Sequence, residues 1–369
     1  MTDAYAAAGV DIAAGDRAVE LMRASVARAQ RPEVVGGLGG FAGLFDASAL
    51  TRYRRPLLAS STDGVGTKVV IAQRMGRHDT IGLDLVAMVV DDLVVCGAEP
   101  LFLTDYLACG LVVPERVAAI VSGVAAGCRQ AGCALLGGET AEHPGLLAPD
   151  EYDLAGAATG VVEADGLLGA ERVRAGDAVV AMAASGLHSN GYSLARHVFL
   201  EQAGWELDRH VPEFGRTLGE ELLEPTRIYA RDCLALADAV DVHAIAHVTG
   251  GGLAANLARV LPAHLSATLE RSTWSPQPVF ELVQRLGAVP IGDLERTLNL
   301  GVGMIALVSA ADADTALSVL DARGVPAWLA GRVTASGAGR VAAGGGSVEL
   351  VGDYDGWPQR ARVQPSSSS

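Results

Sequence analysis

The chain has 369 residues, of which 50% are hydrophobic and 19% charged, a balance that suits a filled globular core and excludes a disordered chain. That length exceeds what one core usually supports, so two domains are expected. A formal net charge of -15 and a pI near 4.9 leave no broad basic surface for nucleic acid or anionic lipid, which points to small-molecule work.

The five cysteines, Cys96, Cys109, Cys128, Cys133 and Cys233, form no Cys-x-x-Cys pair and read as reduced, buried thiols. No run reaches 18 apolar residues, and the N-terminus has no basic stretch followed by a long apolar one. A cytoplasmic protein without a membrane partner is expected.

In chain order, residues 16–29 carry Val19, Met22 and Val26 at helical spacing behind Asp16, a candidate N-cap. Five glycines within residues 36–43 give a backbone able to lie against a ligand, or simply a flexible loop. The stretch STDGVGTK at 61–68 holds the only lysine, Lys68, in a chain whose 27 other basic residues are arginine. It is not a Walker A loop, whose order is G-x-x-x-x-G-K-[ST]. An acid, Asp63, followed by Gly64, Gly66, Thr67 and Lys68 still suits a phosphate and its Mg²⁺. The alternative is a strand-ending turn with a solvated lysine.

Residues 83–96 read as a buried helix interrupted by Asp84, Asp91 and Asp92. Asp84 and Asp91 lie two helical turns apart and share a face. Buried carboxylates are costly unless paired or bound to metal, which suggests a cation site. Alternatively Asp84 favours the helix dipole while the other two acids meet solvent. A strand at 101–106, a helix from Pro114 to a stop at Gly132, and a short strand at 133–136 follow. That strand runs into Gly137-Gly138-Glu139-Thr140, where Glu139 repeats the pattern of an acid on a tight turn. A last strand at 155–162 precedes a domain boundary at 166–176.

The second half opens with a strand at 178–183, the turn Ser185-Gly186-Leu187-His188-Ser189-Asn190-Gly191-Tyr192-Ser193 and a helix at 194–203. A glycine-flanked, hydroxyl-rich helix entry favours an anion such as a sugar phosphate, or merely caps the helix with Ser189 or Asn190. His247-Val248-Thr249-Gly250-Gly251-Gly252 is a second such entry, ahead of a helix at 253–260. Asn299-Leu300-Gly301-Val302-Gly303 leads into a strand at 304–309, and the chain from about residue 352 reads as a disordered tail. No nucleophile elbow, zinc spacing or Cys/His pair emerges. Acids, one lysine and glycine loops suit ATP-dependent chemistry that works by positioning and electrostatics.

Taken together, AGVDIAAG (8–15), RPEVVGGLGGF (31–41), STDGVGTK, HDTIGLDLVAM (78–88), GAEPLFLTDY (97–106), GGETAE (137–142), SGLHSNGYSL (185–194), EPTRIY (224–229), VDVHAIAHVTGGG (240–252) and TLNLGVGM (297–304) resemble the aminoimidazole ribonucleotide synthetase family of cyclo-ligases. The resemblance reaches to about residue 345. It implies an enzyme that cyclises formylglycinamidine ribonucleotide with ATP, the fifth step of de novo purine synthesis. The fold it implies is α+β in two domains. The N-terminal sheet (domain 1–167, for ATP and dimerisation) forms a β-barrel with its dimer mate, and an α+β substrate domain (168–350) of the same superfamily follows, then a tail (351–369).

By the same resemblance, Asp63, Gly64, Gly66, Thr67 and Lys68 serve ATP, and Asp63, Asp84, Asp92 and Glu139 hold Mg²⁺, with K⁺ left open. Lys68 and His247 are the catalytic candidates. His188, Ser189, Asn190, Thr249, Gly250, Gly251 and Asn299 face the ribonucleotide. Two departures stand out: Asp91 where the family pattern more often has Asn, and His143 where it has Met. The first adds a negative charge that could raise a carboxylate pKa or tighten the metal. The competing readings are a selenophosphate synthetase or thiamine-phosphate kinase type, or a non-catalytic nucleotide-binding dimer.

Overall fold

The computed structural model describes residues 12–37, 40–335 and 345–357. The first half carries the two-residue strands β1 (Val34–Val35) and β2 (Leu44–Phe45), then β3 (Pro56–Gly64), β4 (Glu99–Cys109), β5 (Ala134–Glu142) and β6 (Tyr152–Glu163). The last four form one sheet in the order β3-β6-β4-β5, antiparallel except for the β4/β5 pair. Along β6, residues from Leu154 to Gly160 alternate between buried and half-buried, as expected of a sheet covered on one face. The cover on that face is the helix Ile81–Val94, which in turn lies on the helix Pro114–Ala131.

The second half carries β7 (Ala178–Ala183), the short pair β8 (His210–Val211) and β9 (Arg216–Thr217), then β10 (Val242–His247), β11 (Leu265–Glu270), β12 (Val302–Val308), β13 (Ala327–Ala335) and β14 (Ser347–Val351). Six of these form a second sheet ordered β10-β12-β7-β13-β11-β14, with only β11/β14 parallel. Every residue of β10 and β12 is buried; β12 is accordingly apolar throughout, whereas β10 buries two histidines, His243 and His247, among its apolar residues. The helix Ala313–Ala322 lies on β7 and β13 and against the helix Ala230–Ala239.

Several local expectations shift. The N-terminal helix runs Ile12–Arg28, so Asp16 lies inside it instead of capping it, and Val19 is exposed while Ala18 and Val26 are buried. The helix Pro114–Ala131 begins at its proline and ends on Gly132 in the left-handed region, as the sequence suggests. Asp63 and Glu139, expected on turns, both lie within strands. Small residues and glycines resemble turns in sequence, yet here they keep their ladder pairing, Asp63 opposite Gly156 and Gly138 opposite Asp105.

The tail also differs from expectation. Val351 is still in β14, and Tyr354 is only 6% exposed. Residues 358–369 lie outside the described residues, as do 1–11 and 38–39, which include parts of the first glycine-rich stretches. Among the described residues, no helix is long and apolar enough to cross a membrane.

Candidate active site

The acid helix Ile81–Val94 faces the first sheet on one side and segments of the second half on the other. Lys68, at the end of a short 3₁₀ turn, is fully buried against it. Its Nζ donates to Asp84 Oδ1 at 2.7 Å, to the carbonyl of His188 at 3.1 Å and to that of Glu224 at 2.6 Å. An ammonium has three donors, and all three are engaged. Burial lowers the Lys68 pKa, and the neighbouring Asp84 carboxylate opposes that shift. Asp84 Oδ1 also accepts from Thr226 N at 2.8 Å, Thr226 Oγ1 at 2.7 Å and Ser189 Oγ at 3.4 Å. Expected at ATP phosphates, Lys68 therefore sits in an enclosed ion pair that joins the two halves of the chain. Gly66 and Thr67, just before it, stay exposed, with Thr67 Oγ1 3.4 Å from Ser193 Oγ.

Two turns further along, Asp91 is fully buried and accepts from Tyr229 N with both oxygens, at 3.0 and 3.2 Å. Burial pushes its pKa up to about 7, against the opposing influence of His247. The added carboxylate at this departure thus has a raised pKa, but burial is the main cause and its partner is a backbone amide. Asp92 is 45% exposed and binds His247 Nδ1 at 2.9 Å. Burial works against protonation of His247, but the Asp92 hydrogen bond and the charges of Asp91, Asp92 and Asp63 outweigh it and raise the ring pKa. His247 Nε2 is buried without a protein partner. Asp63 is raised in turn, by burial and by the charge of Asp92.

The four acids expected around Mg²⁺ do not converge. Asp84 Oδ1 is taken by Lys68, Thr226 and Ser189, while its buried Oδ2 has no protein partner. Glu139 is on β5, three strands from Asp63, roughly 14 Å at about 4.8 Å per strand. It pairs with Tyr106, one residue on from the Asp105–Gly138 pair, and so falls on the opposite face of the sheet from Asp105. Because β5 is the edge strand, Glu139 can still line, together with Asp105, a cavity of ≈ 300 Å³ beneath the N-terminal helix, where burial pushes Asp105 up to about 7. Among the described residues no three His, Cys, Asp or Glu side chains gather as a metal cage. Asp63 and Asp92 alone remain as neighbouring carboxylates. Mg²⁺ is commonly held by one or two carboxylates together with substrate phosphates, so this pair fits the ion when a nucleotide shares it.

The three glycine-bearing loops of the second half converge. Asn190 Oδ1 lies 3.5 Å from the position a Cβ on Gly250 would take, and Asn299 Nδ2 donates to the carbonyl of Gly186 at 2.9 Å. A Cβ on Gly303 would lie 2.1 Å from Tyr229 Oη and 2.5 Å from His188 Cε1, so only glycine lets that strand approach. His188 is 1% exposed at a φ of 63°; its Nε2 accepts from Ser185 N, leaving Nδ1 without a partner. Burial, then the nearby His247, Lys68 and Arg227, hold its pKa well below the usual value and keep the ring neutral. Ser189 is occupied by Asp84 and Thr226, and neither it nor Asn190 caps the helix Tyr192–Arg196, whose N-cap is Gly191. Gly250 and Gly251 are exposed and Thr249 half-buried. A cleft of ≈ 350 Å³ lined by Ser61, Asp92, His247, Asn256 and Arg259 opens beside them.

Sequence reasoning gave no roles to Glu224, Thr226 and Tyr229, which grip Lys68, Asp84 and Asp91. The stretch EPTRIY was the available signal. It also passed over Asn256, whose Nδ2 donates to the carbonyls of Thr249, Gly250 and Gly252 and so ties the glycine loop.

Residues 45–162 match the N-terminal domain, and residues 174–344 the C-terminal domain, of AIR synthase related proteins. The phosphoribosylformylglycinamidine cyclo-ligase of Geobacillus kaustophilus is 51% identical over 94% of this chain and 99% of its own length. The chain belongs to the phosphoribosylformylglycinamidine cyclo-ligase family. The family member from Anaeromyxobacter sp. (strain Fw109-5) is 53% identical over 90% of this chain and 96% of its own. Among solved structures, the thiamine-monophosphate kinase of Stenotrophomonas maltophilia shares the fold at 20% identity, with a TM-score of 0.66 over 91% of this chain and 96% of that one. The hydrogenase maturation protein HypE in complex with ATP does so at 21% identity, with a TM-score of 0.62 over 91% of both chains. The chain thus carries two mixed α/β domains of this family, in a fold shared with a thiamine-monophosphate kinase and with HypE.

Proposed function

We propose that the protein closes the imidazole ring of formylglycinamidine ribonucleotide at the expense of ATP, giving aminoimidazole ribonucleotide, ADP and phosphate in the cytoplasm. The observation that carries this reading is 51% identity to a named cyclo-ligase over 94% of the chain. An amide oxygen is a poor leaving group. The formyl oxygen attacks the γ-phosphorus and ADP departs. The amidine nitrogen then attacks the activated carbon, the C–O bond breaks with phosphate taking the former formyl oxygen, and a nitrogen proton is lost. No protein nucleophile is needed, which agrees with a site built from hydrogen bonds and charge.

In this reading the exposed Gly66 and Thr67, with the half-buried Gly64 at the end of β3, receive the triphosphate. Asp63 and Asp92 are the residues that would hold Mg²⁺, which neutralises developing phosphate charge when bound. His247, oriented through Nδ1 by Asp92, offers Nε2 as the atom that takes or gives the ring-closure proton. Neutral His188, Asn190, the Thr249–Gly251 backbone and Asn299 orient the ribonucleotide, while Lys68 and Asp84 hold the His188–Ser189 loop and residues 224–226 against the acid helix. No residue is assigned to K⁺.

The face of the first sheet away from the acid helix exposes Leu58 (64%) and Tyr106 (43%), the latter bonded to His143 Nε2 at 3.0 Å. A second copy covering this face, as a shared barrel, belongs to the same proposal. The test is incubation of the purified protein with Mg²⁺-ATP, with and without formylglycinamidine ribonucleotide. ADP and aminoimidazole ribonucleotide formed in equal amounts support the proposal; substrate-independent ATP hydrolysis contradicts it.

A further inference from the structure

The last described segment reaches the loops of the site. After β14, Arg271 Nη1 donates to the carbonyls of Leu350 at 2.6 Å and Gly352 at 3.1 Å. The same guanidinium grips Glu295 with two parallel bonds, Nε to Oε1 at 2.6 Å and Nη2 to Oε2 at 3.0 Å. Tyr354, only 6% exposed, donates from Oη to Glu295 Oε1 at 2.9 Å and meets the Trp274 ring edge-on at 5.2 Å. Trp357 Nε1 closes the segment on Gln284 Oε1 at 2.7 Å.

Glu295 and Trp274 are the two points through which the segment touches the site. Glu295 belongs to the helix Ile291–Thr297, and a Cβ on Gly252 of the glycine loop would lie 1.8 Å from its carbonyl oxygen. The other loop rests just beyond, since a Cβ on Gly191 would lie 2.1 Å from Leu298 Cδ2. Trp274 Nε1 donates to the carbonyl of Leu300 at 2.9 Å, fixing a residue held at a φ of 45°. Leu300 follows Asn299, whose side chain spans from Gly186 O to Gly301 N.

We propose that Tyr354 is a positioning residue: with Arg271 and Trp274 it fixes the helix Ile291–Thr297 and the Asn299–Gly301 turn, and through them both loops that orient the ribonucleotide. This rests on the assignment of those loops to the ribonucleotide. The nucleotide side, around Asp63 and Gly66, is on the other domain and makes none of these contacts. The consequence is selective: disturbing Tyr354 weakens recognition of one substrate and spares the other.

The experiment compares the full chain with Tyr354→Ala, with Tyr354→Phe and with a chain ending at Trp357, each by steady-state kinetics in both substrates and by thermal unfolding. Tyr354→Ala is expected to raise KM for formylglycinamidine ribonucleotide about tenfold, the loss of one charge-assisted hydrogen bond and its ring contact, with KM for ATP held. Tyr354→Phe keeps the ring and loses only the bond to Glu295, so it folds and shifts the same KM in the same direction by less. The chain ending at Trp357 behaves as the full chain. Unchanged ribonucleotide KM in both variants, or equal changes for both substrates, overturns the proposal. An inactive parent chain would instead overturn the assigned reaction.

Discussion

Replacing Lys68 with Met tests whether this lysine is a latch between the domains or a phosphate ligand. Met keeps the length of the stem and removes the charge and all three donors. The carbonyls of His188 and Glu224 lose their partner, and Asp84 is left as a fully buried carboxylate facing only Thr226 and Ser189. Removing one member of a buried ion pair costs about 3–5 kcal/mol, and since Thr226 and Ser189 donate only to Oδ1 and leave the buried Oδ2 bare, a loss within that range is expected. Urea unfolding reads that loss. The double variant Lys68→Met, Asp84→Asn removes both charges and recovers at least about 1 kcal/mol relative to additivity. In kinetics, the two released carbonyls belong to the second domain, so KM for the ribonucleotide rises and kcat falls together. A Lys68→Met protein that unfolds like the parent and changes only KM for ATP would refute the latch and return Lys68 to the phosphates.

Asp92→Asn removes one of the two carboxylates that fit Mg²⁺ and is expected to raise the Mg²⁺ needed for half-maximal rate by about an order of magnitude; an unaltered magnesium titration takes the metal away from Asp92. Asp91 has a folded pKa of about 7 against an ordinary 3.8, so the folded chain holds an extra proton between those values. Its contribution to stability is then complete below about pH 4 and lost as pH rises towards 7. Asp91→Asn, measured in chelator, is therefore expected to stabilise by on the order of 2–4 kcal/mol at pH 8 and by less than about half of that at pH 5. Equal gains at both pH values would rule out titration of Asp91. Leu58→Glu on the open sheet face is expected to turn a dimer into a monomer by light scattering, whereas a variant that stays dimeric moves the interface elsewhere.

Elements bounded by glycine or proline were legible in the sequence: β7 spans Ala178–Ala183 as expected, and the helix Pro114–Ala131 ends at Gly132. The glycine-bearing loops at 185–191 and 247–252 could be read as helix entries because they punctuate apolar strands. What local patterns could not reveal was pairing across the chain. Asp84 looked like a metal ligand because a buried acid needs compensation, and it receives that compensation from Lys68 and from Thr226, 142 positions away. Glu139 looked equivalent to Asp63 because both follow strand-like runs with adjacent glycine, yet strand order separates them and alternation turns Glu139 to the other face. Likewise, polar composition at the C-terminus hid Tyr354, whose burial depends on Trp274 and Arg271 much earlier in the chain.

The most direct test follows one oxygen atom. Formylglycinamidine ribonucleotide labelled with ¹⁸O in its formyl group is incubated with the protein and Mg²⁺-ATP, and the released phosphate is examined by mass spectrometry beside the amounts of ADP and aminoimidazole ribonucleotide. One labelled phosphate is expected for each ADP and each aminoimidazole ribonucleotide. ADP accompanied by unlabelled phosphate would mean that water takes the phosphoryl group, and would contradict ring closure through an activated formyl oxygen.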